Sequence, residues 1–355
     1  MIDWISAVVP CTHVEPIRDG CFQRVDASGE VEWSSDKRLM VTGSYDSAVS
    51  IRTAAWEGDR THIEVSGNLV KFFQGHNLWG TDDLHGLVWE FLRWLAIEHG
   101  QQENPLVSPT PDDIQAWRDG AISLTRVDAT ESFHLSNLGE VLSFLRAAEQ
   151  TGHLSHRGRG QLVKGSTLYF GKNSRRWSLK LYAKGQEIRA PGHGQAAILD
   201  LPSAVEWADK TLRAELTIRS MELKRIGLAS VRDWSTREGV PFASAELLRE
   251  KLGDMTMTTT SKLSDDVLAT LTTSQRLAYT AWLAGEDLRV ILSRPSFYRL
   301  RAKLLPHGID VATLLPKEGP SNVIPLHRVL RAVPATVPDW AHGTPLYFEP
   351  RRAYG

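Results

Sequence analysis

Apolar and polar positions alternate in two distinct periods along this chain. Leu84, Leu87, Val88, Phe91, Leu92 and Leu95 recur at the three-to-four spacing of a helix, which predicts a helix over about Asp82–His99. Thr81 is placed to cap it, Asp82 and Asp83 complement its positive end, and Gly100 can stop it. Leu138, Val141, Leu142 and Leu145 give a second helix near Asn137–Gln150. Other stretches alternate with a period of two. Ser47–Thr53 and Thr61–Ser66 read as strands separated by an acidic turn at Glu57–Asp59, within a first 80 residues of strands and turns. Further strands are expected at Ile122–Thr130, Ser166–Gly171, Trp177–Lys184 and Leu212–Arg219, with an Ala/Pro/Gly-rich stretch at Ala190–Pro202 before the last.

Strands and helices alternate irregularly, without repeated βαβ units. The expectation is an α+β domain with a largely antiparallel sheet and flanking helices over residues 1–227. Residues 228–261 read as a helical connector, with a polar break at Met255–Ser261. Residues 262–312 read as a small domain of short helices. The seven prolines between Leu315 and Gly355 mark 313–355 as an extended Pro-rich tail.

The strand period also sorts side chains by face. In Ser178–Lys184, Leu179, Leu181 and Ala183 point one way, and Lys180, Tyr182 and Lys184 the other. In Arg213–Arg219 the polar face carries Arg213, Glu215, Thr217 and Arg219; in Arg126–Thr130 it carries Arg126, Asp128 and Thr130. If the three strands share a sheet, one face holds two acids, a tyrosine and several cations. On spacing alone, such a face is also what solvated cross-strand ion pairs produce, each worth roughly 0.2–1 kcal/mol.

Charge distinguishes this region further. The 355 residues carry 41 Lys+Arg against 42 Asp+Glu, so bulk charge selects no partner. Yet Arg157–Arg189 holds nine Lys/Arg and one acid, Glu187, with Tyr169, Trp177 and Tyr182 interleaved. Cations among aromatic rings suit single-stranded nucleic acid, whose phosphates meet the cations while its bases stack. A tyrosine, with an ordinary pKa of about 10, becomes a nucleophile when cations or a metal favour its phenolate. Two carboxylates could hold Mg²⁺ or Mn²⁺, which would polarise a phosphodiester. His76, in the glycine-flanked run Gln74–Gly80, is either a metal or phosphate contact or a structural hydrogen-bonding residue; His153, His156 and His193 lack ligand spacing. Cys11 and Cys21 exclude a disulfide scaffold or a cysteine zinc module and fit a reducing compartment. No apolar run is long enough to span a membrane, and the N-terminus lacks a signal peptide's basic start, so a cytoplasmic protein is expected. Walker loops, nucleophile elbows and HExxH motifs are absent from the sequence.

Five runs occur in order: Phe73-Gln-Gly-His-Asn-Leu-Trp-Gly-Thr-Asp-Asp-Leu84, Thr125–Thr130, Leu181-Tyr-Ala-Lys184, Leu212–Arg219 and Leu223–Leu228. The series resembles the gene II replication initiators of filamentous bacteriophages, over most of residues 1–230. Ser166–Lys172 followed by the Leu181–Lys184 strand is also similar to the Rep-trans initiators of staphylococcal rolling-circle plasmids. Ala281–Leu288 and Phe297–Arg301 resemble the C-terminal extension of related phage proteins. The resemblance implies a site-specific, strand-transferring DNA endonuclease acting in rolling-circle replication in a bacterial host. It gives Tyr182 the role of nucleophile forming a 5′-phosphotyrosyl intermediate, and Asp128 and Glu215 that of ligands to Mg²⁺ or Mn²⁺. Lys184 would stabilise the phenolate or the phosphate. The paired His-hydrophobe-His motif of other rolling-circle nucleases is missing here, which leaves His76 only a possible participant.

The expected partners are single-stranded and duplex origin DNA, with host helicase and replication proteins; no membrane is involved. Arg175, Arg176 and Lys180 would contact DNA from the nicking domain. A helix at Leu288–Leu292, a turn at Ser293–Pro295 and a helix from Ser296 make a helix-turn-helix pattern that would present Arg299, Arg301 and Lys303 to duplex. Two other functions share these features: a non-enzymatic origin-binding or regulatory protein, and a metal-dependent nuclease without a covalent intermediate.

Overall fold

The computed structural model describes residues 1–54, 60–154, 156–192, 195–235, 244–253, 255–257, 265–305, 309, 311–312 and 334–350. The turn expected at Glu57–Asp59, His193, Thr258–Ser261 and most of the Pro-rich tail lie outside the described residues. The strands are β1 (Ile2–Pro10), β2 (Cys21–Val25), β3 (Val31–Asp36), β4 (Leu39–Thr42), β5 (Ala48–Thr53), β6 (His62–Gly67), β7 (Ser123–His134), β8 (Gly152–Leu154), β9 (Gly158–Arg159), β10 (Gln161–Val163), β11 (Thr167–Phe170), β12 (Trp177–Ala183), β13 (Thr211–Arg219) and β14 (Met255–Met257). Among the described residues, nine strands form one sheet in the order β10-β11-β12-β13-β7-β1-β6-β5-β4. Every pairing in it is antiparallel, as the irregular alternation of elements predicts. β2 and β3 form a separate, exposed ribbon.

The first two helices are α1 (Leu69–Gln74) and α2 (Leu84–Gly100). The stripe read from the sequence is the buried face of α2. Its cap is Asp83, whose carboxylate accepts from Gly86 N–H, while the Thr81 hydroxyl accepts from Asp83 N–H. The expectation that Thr81 caps the helix is therefore corrected by two residues. α1 was not expected; Asn68 caps it and Gly75 closes it at φ 80°. α3 (Pro111–Arg118) follows, and α4 (Leu138–Thr151) is the second expected helix. Val141, Phe144 and Leu145 of α4 share a core with Leu179, Leu181 and Leu216 on the apolar face of β12 and β13.

α5 (Lys184–Ile188) precedes the Ala/Pro/Gly-rich stretch at Ala190–Pro202, which holds α6 (Ala196–Leu199); α7 (Pro202–Asp209) follows before β13, and α8 (Ser220–Arg225) comes after β13. The predicted connector joins the main core, because Leu228, Val231 and Trp234, with Leu248 and Leu252 of α9 (Ser244–Gly253), are buried in it. The polar break at Met255 begins as β14, paired with β8. Then come α10 (Asp265–Ala269), α11 (Thr273–Leu283), α12 (Leu288–Ile291) and α13 (Arg294–Leu304), which bury Tyr279, Trp282, Phe297 and Leu300 in a second core. α12 and α13 match the expected helix-turn-helix, with the second helix starting at Arg294 rather than Ser296.

The largest departure concerns the tail. Residues 334–350 are docked on the sheet domain as a strap. Pro334 bridges Phe133, and Ala335 N–H donates to Ser132 O. Phe348 stacks on Phe73 at 4.3 Å between ring centroids. Among the described residues, no helix is long and apolar enough to cross a membrane.

Candidate functional site

The register of the central strands brings the predicted polar face together. Lys180 lies opposite Glu215, and Tyr182 opposite Arg213. Thr217 lies opposite Asp128, Glu215 opposite Thr130, and Arg213 opposite Ser132. Glu215 and Asp128 are thus diagonal neighbours on adjacent strands, with Tyr182 one strand further. Arg126 grips Asp128 with two bonds, Nε to Oδ1 at 2.9 Å and Nη2 to Oδ2 at 2.5 Å. Lys180 Nζ bonds Glu215 Oε2 at 2.9 Å and lies 4.1 Å from the centroid of the Tyr182 ring. These are the ion pairs of the solvated-face reading, but the face is not solvated: Asp128, Tyr182, Glu215 and Arg213 are all buried.

Burial sets the electrostatics. It pushes Asp128 up to about 6, helped by the charges of Glu215 and Asp3 and opposed by Arg126. Burial also raises the Tyr182 phenol well above its ordinary value; Glu215 adds to the rise and Arg213 opposes it. The expectation that neighbouring cations favour phenolate is therefore corrected. In this state desolvation outweighs them, and the phenol keeps its proton. For Lys180 burial works against the charge, but Glu215 more than compensates and the ammonium is stabilised.

Lys184 does not continue the strand. It starts α5, is wholly buried, and donates to Asn77 Oδ1 at 2.7 Å and Glu187 Oε2 at 2.6 Å. Burial lowers it to about 8, against the pull of Glu187. It still approaches Tyr182, with Nζ 5.9 Å from the ring centroid.

Asn77 belongs to the loop Gly75–Gly80, which lies over this end of the sheet. A Cβ on Gly75 would meet the Tyr45 ring at 2.7 Å and one on Gly80 would meet Val70 at 2.8 Å, so both positions need glycine. Arg213 Nη1 donates to Asn77 O at 2.6 Å, its Nη2 donates to Leu78 O, and its Nε donates to Ser132 Oγ at 3.0 Å. Asp3, at the irregularity in β1, accepts at one oxygen from the side-chain amides of Asn68 and Asn77, at 2.8 and 2.9 Å. The outer side of the loop meets the strap. Leu346 O accepts from His76 Nε2 at 2.9 Å and Trp79 Nε1 at 2.8 Å, and Trp340 packs edge-on against Trp79.

His76 is thereby given its structural role. Nδ1 accepts from Leu78 N–H, so Nε2 carries the proton it donates to Leu346 O. Burial holds the ring near 4 and neutral, and no lone pair is left for a metal. Asp128 and Glu215 remain as the hard oxygen donors. Among the described residues no group of three or more His, Cys, Asp or Glu is arranged to hold a metal. Two carboxylates nonetheless suit Mg²⁺ or Mn²⁺, which commonly complete their shell with water and phosphate oxygens.

Arg175 and Arg176 are exposed in the β11–β12 turn, at the margin of this face. Arg299, Arg301 and Lys303 belong to the second core's α13, apart from the Tyr182 cluster. Arg299 is exposed, whereas Lys303 donates to Thr270 O at 2.6 Å and ties its helix to the turn between α10 and α11. Asp3, Asn77 and Arg213 were not singled out from the sequence. Arg213 could have been, as a cation on the polar face beside the tyrosine; Asp3 gave no signal, because its position depends on a strand irregularity.

Comparison with known proteins supplies an independent line. Residues 1–237 match the family model for the N-terminal part of the phage replication-associated gene II protein, and residues 264–347 match the model for its C-terminal part. The chain is 38% identical over 347 residues to the replication-associated gene II protein of Enterobacteria phage I2-2, covering 96% of each. A rolling-circle replication initiator from Geobacillus stearothermophilus aligns in structure over 89% of this chain and 98% of its own, with a TM-score of 0.34 and 13% identity.

Proposed function

The chain belongs to the family of phage replication-associated gene II proteins, and from that premise we propose that it initiates rolling-circle replication by nicking one origin strand through Tyr182. The observation that carries this reading is the shared polar face, where a buried tyrosine stands beside Lys180, Lys184 and Arg213, with Glu215 its diagonal neighbour on the next strand and Asp128 a further diagonal step beyond Glu215. The Tyr182 oxygen attacks the scissile phosphorus. An O–P bond to tyrosine forms and the bond to the 3′ oxygen breaks. The phenol gives up a proton and the leaving 3′ oxygen takes one, so a free 3′-hydroxyl is left to prime synthesis. The 5′-phosphotyrosyl bond conserves the phosphodiester's energy, and a later 3′-hydroxyl can reverse the step and close a circle.

Mg²⁺ or Mn²⁺ held by Asp128 and Glu215 would supply charge stabilisation at the phosphate. Lys180 steadies Glu215 and lies over the nucleophile's ring. Lys184, near 8, sits where it can hold charge beside the phenolate. Arg175 and Arg176 accompany the approaching strand at the rim, and α13 offers Arg299 to duplex DNA.

The test is incubation with labelled single-stranded origin DNA and Mg²⁺, followed by denaturing electrophoresis. Wild type forms a protein–DNA adduct, and Tyr182→Phe binds the DNA without forming one. Adduct in that variant refutes the choice of tyrosine; cleavage without any adduct in wild type points to a metal nuclease instead.

A further inference from the structure

Arg213 is among the largest fully buried side chains in the protein, yet among the described residues no carboxylate lies at ion-pair distance from it. Its partners are two backbone carbonyls, of Asn77 and Leu78, the hydroxyl of Ser132 and, weakly, the Met1 sulfur. These satisfy N–H groups but do not neutralise a charge. Buried charges are normally paired, because a guanidinium taken out of water without an anion carries a desolvation penalty of several kcal/mol. The acids of this end of the sheet have other partners: Glu187 takes Lys184, Asp3 takes the amides of Asn68 and Asn77, and Glu215 takes Lys180. Arg213 is also the direct cross-strand neighbour of Tyr182 and opposes the rise of its phenol pKa.

We infer that Arg213 is a phosphate-binding residue of the nicking site, which exchanges the carbonyls of Asn77 and Leu78 for oxygens of the scissile phosphodiester when the Gly75–Gly80 loop lifts. A guanidinium fork matches two phosphate oxygens as it now matches two carbonyls. The loop acts as a removable cover. It is joined to the sheet by Arg213 and Lys184, packs Leu78 and Trp79 against Ile188, Ile198 and Trp207, and meets the strap on the outside through His76 and Trp79. The exchange gives the buried cation its missing anion and sets phosphorus beside the tyrosine. The inference rests on the proposed nicking reaction.

The experiment separates the two. Binding of single-stranded origin oligonucleotides is measured in a Tyr182→Phe background, which cannot react. Each phosphate in turn is replaced by an uncharged methylphosphonate, with and without Arg213→Gln. At one phosphate the replacement weakens binding about tenfold when Arg213 is present, the scale of one charge-assisted contact, and less than twofold in Arg213→Gln. A merely structural Arg213 would lower affinity for every oligonucleotide alike and show no such coupling, which overturns the inference. If Arg213→Gln does not fold, Arg213→Lys carries the test. It keeps a cation but not the fork, so the sensitive position should fall to about threefold; an unchanged tenfold loss overturns the inference. Adduct formation by wild type on the same oligonucleotides is scored separately, and its absence refutes the nicking reading whatever the coupling.

Discussion

Asp128→Asn should make the protein more stable at neutral pH, although it removes half of an ion pair. The Asp128 carboxyl is buried and held up to about 6, against an ordinary value of 3.8. Its folded pKa lies above its unfolded one, so the folded state is favoured while the proton is on and loses stability as pH rises from the unfolded value through the folded one. A difference of about two pKa units corresponds to about 3 kcal/mol by pH 7, of which roughly half is lost between pH 5 and pH 7. Asparagine has no proton to lose and does not incur this loss. Urea unfolding at pH 5 and pH 7 should show wild type weakening by about 1 kcal/mol more than the variant. Mg²⁺ at millimolar concentration should recover most of that loss in wild type and little in Asp128→Asn, since a cation between Asp128 and Glu215 relieves their repulsion. Parallel pH dependence in the two proteins would show that Arg126 already compensates the buried carboxylate. An equal Mg²⁺ response in both would remove Asp128 from the metal site.

The second core and the strap each carry one further expectation. Arg294 and Arg299 are exposed on α13, and changing each to Gln should flatten the dependence of log K on log salt for duplex origin by about 0.9 for each phosphate no longer neutralised, with single-strand binding unchanged. Phe348→Ala removes the ring stacked on Phe73; it should cost about 1–3 kcal/mol, less than a fully buried Phe, and, if the proposed loop movement precedes nicking, speed adduct formation in a quenched time course, because the strap that holds the loop from outside is loosened. An unchanged time course at reduced stability would mean that the strap only packs.

The parts of the fold legible in the sequence are those with a period. The α2 stripe from Leu84 to Leu95 and the alternating faces of β7, β12 and β13 follow from side-chain geometry alone; that Asp128, Tyr182 and Glu215 share one face follows only once the strands pair in the observed register. α1 was hidden because Leu69-Val-Lys-Phe-Phe-Gln74 is short and nearly all apolar; its signals are the flanking Asn68 cap and the Gly75 stop. The strap was hidden for another reason. Prolines remove periodicity, and residues 334–350 are held by single carbonyls, amides and rings that pair with residues over 200 positions away. Burial of the polar face was equally illegible. Alternation tells which way Tyr182 points, but not that the fold closes over it and buries it.

That closure changes what the cations near Tyr182 do. In water, a cation such as Arg213 would lower a phenol's pKa; in this buried face, desolvation of the phenolate outweighs it and the proton stays on. The same burial pushes Asp128 up and Lys184 down, so three groups of the face are held toward their neutral forms at once. If the Gly75–Gly80 loop lifts as proposed, Lys184 would be freed from Asn77 and Arg213 from two carbonyls. Under the proposed nicking reaction an incoming phosphodiester would then meet cations with vacated donors, and a tyrosine kept protonated until that moment would be confined in its reactivity to DNA that has displaced the loop.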